Sequence, residues 1–357
     1  MEFYSWLKKT YDWAEKTLVS EYLTSWTPAQ VPNLEGKVAV VTGGNSGLGY
    51  VTCRKLAENG AKVFLVSRDR KNGEKAAAQI RSDIGPSALV TVLECDMSHL
   101  RNVQQLVKDI QASTTKLDIL VNMAGVFHPG PFAKTVDGLE QTIGIDYYAP
   151  ALLTLGLLDL LRATPGSRVV FMASSAEQFG RLDWDNLKGD KYNDSGMTPY
   201  GTAKAYNLMF ARELATRIPD VDFLGVHPGV VLTPLMVKGS VRYLTFIGAA
   251  IGAVVWGLPA DRGAWSTIYT ATDPQLKGRH WTFIGPNFMN FYNTVERKPV
   301  NYAVHNPISC WKLFEETVFI LKELGCGSTI NQIPRHPDDV YGSTTRPQAA
   351  APTAVAA

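Results

Sequence analysis

Tyr200 and Lys204 stand four residues apart in the stretch YGTAK, and a serine pair, Ser174-Ser175, lies upstream, Ser175 being 25 residues before the tyrosine. Side chains four apart on a helix share a face. An ammonium beside a phenol stabilises the phenolate and lowers a pKa that starts near 10. Tyr200 can then serve as a general acid or base near neutral pH. The spacing alone is weak evidence. Fourteen tyrosines and nineteen lysines give roughly one such pair by chance, and Tyr4 with Lys8 is a decoy of the same spacing. The decoy lacks a preceding strand, a Gly-rich turn and an upstream serine, so context must separate the two.

The elements around the pair supply that context. Short apolar runs at Lys37–Val41, Ala61–Ser67, Val90–Cys95, Leu117–Val121, Arg168–Ala173, Asp222–Val226 and His280–Ile284 read as strands. Helical patterns separate them, at Leu48–Glu58, about Lys71–Ser82, Leu100–Ala112, a long apolar Val136–Ala163 and Tyr200–Arg217. Strands without alternation, divided by helices, predict an α/β domain with a doubly wound parallel sheet covered on both faces. Ligands of such sheets bind beyond the carboxyl ends of the strands.

The residues at those ends suit a dinucleotide. After the first strand comes Thr42-Gly43-Gly44-Asn45-Ser46-Gly47-Leu48-Gly49. Glycines permit a tight turn and close backbone approach, and the helix start offers free N–H groups to a pyrophosphate. Gly43, Ser46, Gly47, Leu48 and Gly49 are the contacts expected from this turn. The second strand ends in Ser67-Arg68-Asp69-Arg70-Lys71. An acidic residue at this strand end suits a ribose 2′-hydroxyl, and an arginine suits a 2′-phosphate. Ser67 in the acidic slot, followed by Arg68, favours NADP(H) over NAD(H). Asp96 is read either as a contact to the adenine amino group or as a cap for the next helix, a role for which Ser98 competes. Asn122, in Asn122-Met123-Ala124-Gly125, is placed to bridge neighbouring strand ends.

Taken in order, TGGNSGLG, NMAG, the serine pair, YGTAK and HPGVVLT (His227–Thr233) resemble the short-chain dehydrogenase/reductase family from Leu34 to about Gly285. The LDWDNL stretch before the YxxxK helix makes the chain most similar to the branch that holds the retinol dehydrogenases. The resemblance implies a Rossmann-type sheet and hydride transfer at a nicotinamide. By the same resemblance, Tyr200 exchanges the proton with the carbonyl or alcohol oxygen, and Ser175 orients that oxygen. Lys204 binds the nicotinamide ribose and lowers the Tyr200 pKa, while Val231 and Thr233 hold the carboxamide. Two positions depart from the pattern. Met123 replaces the second Asn of the usual NNAG. Asp146 stands where the family usually has an Asn that completes a proton relay to the lysine through water. A carboxylate there can pair with Lys204, and it offsets part of the positive charge that lowers the Tyr200 pKa.

Composition excludes other classes. Lys+Arg 35 against Asp+Glu 33 gives a net charge of +2, and no basic stripe of the kind a nucleic-acid binder carries is present. Four scattered cysteines without CxxC, and six histidines without HExxH, argue against disulfides and a metal site. The serine pair lacks the GxSxG elbow of a hydrolase. No secretory signal is visible, so the expected location is cytoplasmic. Residues 1–33 are expected to form an amphipathic helical extension, which leaves peripheral membrane contact and self-association open. Residues 34–285 form the catalytic domain of this reading, with a substrate-pocket segment at about 235–258. Residues 286–332 are a C-terminal extension with helical character, and 333–357 a disordered tail. The apolar pocket segments predict a small hydrophobic substrate. The competing reading keeps the cofactor site but assigns non-redox chemistry such as cyclisation, or a binding or regulatory role.

Overall fold

Val38–Thr42 (β1) is buried at every position, and its side chains alternate between two cores. Val38 and Val40 pack in one, Ala39 and Val41 in the other. Phe64 and Val66 against Val63 and Leu65 divide in the same way along Lys62–Ser67 (β2). A strand buried on both faces reads as an unbroken apolar run because neither face meets water. The computed structural model describes residues 26–127, 130–192, 196–229, 231, 260–286 and 294–337.

Among these residues one eight-stranded sheet forms in the order β3-β2-β1-β4-β5-β6-β7-β8. The further strands are Val90–Glu94 (β3), Ile119–Asn122 (β4), Arg168–Met172 (β5), Asp222–Val226 (β6), Trp281–Pro286 (β7) and Thr294–Arg297 (β8). Every pairing is parallel except β7 with β8. Helices Gly47–Glu58 (α1) and Arg70–Ile84 (α2) cover one face. Leu100–Ser113 (α3), Ala149–Gly156 (α4), Leu158–Arg162 (α5) and Met197–Arg217 (α6) cover the other. Ala260–Thr272 (α7) joins the α1 face, whereas Tyr302–His305 (α8) and Pro307–Glu323 (α9) join the α6 face. The doubly wound, Rossmann-type sheet expected from the sequence is therefore present, with every anticipated strand in place. Among the described residues no helix is long and apolar enough to cross a membrane.

One expected helix forms differently. Val136–Ala163 is not continuous, and its first residues are a turn. Gly138 takes φ +82°, its N–H donates to the Thr135 carbonyl at 3.0 Å, and Lys134 pairs with Glu140 in an isolated bridge. Helix starts only at Gln141, where the Glu140 carboxylate accepts the Ile143 N–H at 2.8 Å. It then widens into a π-helical segment, Gly144–Tyr148, before α4. Periodicity alone does not register this widening. Elements past Ile284 were legible only as helical character. There Pro307 at the first turn and an Asn306 side chain accepting the Ser309 N–H at 3.2 Å start α9.

Candidate active site

The sheet order reverses between β1 and β4, and the expected cofactor contacts gather at that switch point. The Thr42 hydroxyl receives the N–H groups of Met123 and Ala124, both at 2.9 Å, so the β1 and β4 ends are tied together. Gly43 has φ +70°, and a Cβ there would come within 3.1 Å of the Ala124 Cα. A Cβ on Gly49 would lie 2.2 Å from the Gly43 carbonyl oxygen, so α1 can begin this close to the turn only without one. Ser46 precedes the helix but makes no side-chain cap, which leaves the first N–H groups of α1 for an anion. Leu48 and Val231 meet over Gly263 of α7, where a Cβ would lie 3.0 Å from Leu48 Cδ2 and 2.4 Å from Val231 Cγ2. Thr233 and the 235–258 pocket segment lie outside the described residues, as do residues 1–25 with the decoy Tyr4 and Lys8.

At the end of β2, the Ser67 hydroxyl donates to the Asp69 carbonyl at 2.8 Å. The Asp69 carboxylate caps α2 by accepting the Asn72 N–H at 2.7 Å, so the nearest acid is already engaged. Arg70 faces Glu74 at 3.8 Å. Arg68 is exposed and has no ion-pair partner among the described residues. Asp96 accepts the N–H and hydroxyl of Ser98 at 3.0 and 2.8 Å. Neither of them caps α3, which corrects that expectation: the Leu100 N–H is held by the Asp137 carboxylate at 2.9 Å. Asn122 does not bridge strand ends with its amide either. Its Nδ2 donates to Thr154 at 3.0 Å, and its buried Oδ1 is without a protein partner. A glycine cradle, uncapped helix N–H groups and an orphaned buried acceptor together fit a dinucleotide.

The groups expected to handle the proton lie on the α6 side of this cleft. Lys204 Nζ is 2.7 Å from Asp146 Oδ2, and both side chains are buried. The ammonium also sits 5.2 Å from the centre of the Tyr200 ring, while Phe127 meets that ring edge-on at 5.3 Å. The π-helical segment aims Asp146 into this place, a common use of such widenings. Its Oδ1 accepts the Val126 N–H at 2.7 Å. A Cβ on Gly125 would lie 2.8 Å from Oδ2, so the last glycine of NMAG makes room for the carboxylate. Pro150 has no N–H to offer the Asp146 carbonyl, and that carbonyl accepts the Asn207 amide at 2.9 Å. Asn207, three residues past Lys204, thereby fixes the segment to α6. Sequence reasoning missed it, although its place one turn beyond the lysine was a usable signal.

The electrostatics differ from expectation in sign. Burial raises the Tyr200 pKa; Lys204 lowers it, Asp146 raises it, and a hydrogen bond with Ser174 lowers it, with a net position above the ordinary value. The lysine does pull downward, but desolvation and the carboxylate outweigh it. Burial opposes the charge on Lys204, yet Asp146 and Tyr200 more than offset this and raise its pKa. The Ser174 hydroxyl is the one that lowers the Tyr200 pKa and it accepts the Ala176 N–H at 3.2 Å, whereas Ser175 is exposed and opens the short helix Ser175–Phe179. Gly201 lets α6 reach this turn, since a Cβ there would lie 2.4 Å from the Ala176 carbonyl oxygen. Burial, with Arg297 nearby, drives the His227 pKa down to about 3, so this imidazole stays neutral and is no rival acid–base group. Among the described residues no group of His, Cys, Asp and Glu could hold a metal ion.

The chain has relatives among known proteins. A family model described as short chain dehydrogenase matches residues 37–241. Retinol dehydrogenase 14 of Mus musculus is 33% identical over 268 residues, covering 71% of this chain and 78% of its own. Retinol dehydrogenase 11 of Mus musculus is 36% identical over 270 residues, covering 74% and 83%. Among solved structures, an uncharacterised protein from Mycobacterium paratuberculosis superposes with a TM-score of 0.65 at 30% identity, covering 82% of this chain and 97% of that one.

Proposed function

The chain belongs to the short-chain dehydrogenase family, in the retinol dehydrogenase branch, and within that oxidoreductase family we propose an NADP(H)-dependent reductase of hydrophobic carbonyl compounds. The series Ser174–Tyr200–Lys204–Asp146, half-buried at its two hydroxyls and buried at its ion pair, set beside an uncapped helix start, carries this reading. The relatives' names support a hydrophobic substrate. When bound, the nicotinamide supplies the hydride. Gly43, Ser46, Gly47, Leu48 and Gly49 would hold the pyrophosphate, Ser67 and Arg68 the adenosine ribose, and Asp96 the adenine. Asn122, Tyr200, Lys204, Val231 and Thr233 would hold the nicotinamide half.

Tyr200 donates its proton to the substrate oxygen in reduction and withdraws it in oxidation. Its raised pKa keeps the phenol protonated near neutral pH, which favours the reductive direction. Ser174 aligns the phenol, and Ser175 is exposed. Ser174→Ala should therefore cost more in kcat than Ser175→Ala, by about tenfold. Equal losses, or the reverse order, would restore Ser175 as the orienting hydroxyl.

Arg68 is read as the phosphate ligand because among the described residues no ion pair neutralises it and Asp69 is engaged as a cap. Arg68→Ala should weaken NADPH binding by about ten- to a hundredfold, the cost of a charge-assisted contact, and leave NADH binding unchanged. Tighter binding of NADH by the unaltered protein would overturn the phosphate assignment. The function itself is tested by following NADPH oxidation with a panel of apolar aldehydes and ketones that includes retinal. Turnover with at least one member is expected. Tight NADPH binding without turnover on any would favour non-redox chemistry.

A further inference from the structure

We propose that Glu177 is a positioning residue whose buried carboxylate locks the serine-bearing turn to the Val300–Asn301 segment and thereby sets the alignment of Ser174 on Tyr200. The inference rests on the oxidoreductase reading above. The turn Ser175–Phe179 is a short 3-10 helix, a weak element that needs outside support to hold one geometry. It has that support on two sides.

On the first side it lies against α6, where Gly180 and Gly201 allow backbone contact. A Cβ on Gly180 would lie 2.6 Å from the Gly201 carbonyl oxygen. On the second side Glu177, 1% exposed, accepts the Val300 N–H at 2.6 Å on Oε1 and the Asn301 N–H at 2.9 Å on Oε2. Asn301 answers with its amide, which donates to the Glu177 carbonyl at 2.9 Å and the Gly180 carbonyl at 3.0 Å. Four hydrogen bonds thus join two segments that are distant in sequence.

The far segment is itself anchored. Asn301 Oδ1 accepts the Ala303 N–H at 3.0 Å, and His305 Nε2 lies 2.6 Å from the Pro299 carbonyl oxygen. Arg212 of α6 donates to the Val304 carbonyl at 2.6 Å. Helix α6, the turn and the 299–305 segment are therefore tied to one another. A carboxylate suits this place because each of its oxygens faces a backbone donor. Burial raises the Glu177 pKa, and the Val300 and Asn301 N–H groups together with His305 pull it back. Glutamine would keep one acceptor and turn an N–H donor toward the other amide. Released from the clamp, the turn is free to carry Ser174 away from Tyr200, and small misplacements near reacting groups are costly.

The test compares wild type, Glu177→Gln, Asn301→Ala, Ser174→Ala and the Glu177→Gln/Ser174→Ala double variant. Each is assayed with NADPH and the panel carbonyl that wild type reduces, alongside NADPH Kd by fluorescence titration and Tm. Glu177→Gln is expected to lower kcat by about tenfold or more and to leave the NADPH Kd within about twofold. In the Ser174→Ala background its further effect should shrink to less than about twofold, because it acts through that hydroxyl. A lower Tm with kcat unchanged, or a full tenfold loss on top of Ser174→Ala, would overturn the positioning role. Asn301→Ala opens the same clamp from the other side, so it carries the test if Glu177→Gln does not fold. Wild-type inactivity across the whole panel would strike the oxidoreductase reading, whereas wild-type turnover with unimpaired variants would strike Glu177 alone.

Discussion

Tyr200→Phe is expected to lower kcat by about a hundred- to ten-thousandfold, the usual contribution of a positioned general acid, while NADPH Kd, which rests on many other contacts, changes far less and Tm stays near wild type. The phenol oxygen is the atom whose proton the substrate takes, and phenylalanine removes it with little change in shape. Ser174 and Lys204 remain, so cofactor affinity gives the internal control. Undiminished turnover would remove Tyr200 from the mechanism and with it the role assigned to the whole series. The pH dependence follows from the same group. Reduction needs the protonated phenol and should hold through neutral pH, falling only as pH rises past a pKa that lies above the ordinary value. Oxidation needs the phenolate and should rise with pH toward that same pKa.

Lys204→Met is expected to abolish measurable turnover and also to destabilise the fold. Asp146 is buried with its Oδ2 facing the ammonium at 2.7 Å, and removing one partner of a buried pair leaves an uncompensated charge, a loss of about 3–5 kcal/mol. Adding Asp146→Asn to Lys204→Met should recover most of the lost Tm without restoring activity, which separates the two functions of the lysine. Asp146→Asn alone should keep activity and move the alkaline limb downward. The carboxylate raises the Tyr200 pKa, so neutralising it lowers that pKa and brings phenolate-dependent oxidation to lower pH. An unchanged pH–rate profile in Asp146→Asn would deny Asp146 any influence on the phenol. A double variant no more stable than Lys204→Met would deny the buried-charge argument.

Much of this was legible before any coordinate. The alternation of apolar runs and helical segments carries the sheet, because burial on both faces leaves the middles of β1, β2, β4, β5 and β6 apolar, with polar residues only at their ends. The Gly-rich turn, Arg68 and Lys204 were visible because their chemistry depends on residue type at a fixed place in a strand–helix unit, and Asp146 through the family resemblance. The departures have physical reasons. The widening at Gly144–Tyr148 adds one residue to a turn, and a hydrophobic period averaged over a long helix does not register it. Ser174 and Ser175 are adjacent and chemically identical, so residue type alone does not say which of them faces Tyr200. The sign of the Tyr200 shift required the balance of burial against two opposite charges, which residue types do not contain. Glu177 and Asn301 are 124 positions apart, and no local pattern joins them.

The central claim, hydride transfer with Tyr200 as the proton donor, is tested most directly with NADPH deuterated at the transferring position. The protein is incubated with the panel of apolar carbonyl compounds and the products are analysed by mass spectrometry. Deuterium on the carbinol carbon of a product formed by wild type and lost in Tyr200→Phe is the predicted result. Bound NADPH with no deuterated product from any panel member would contradict it.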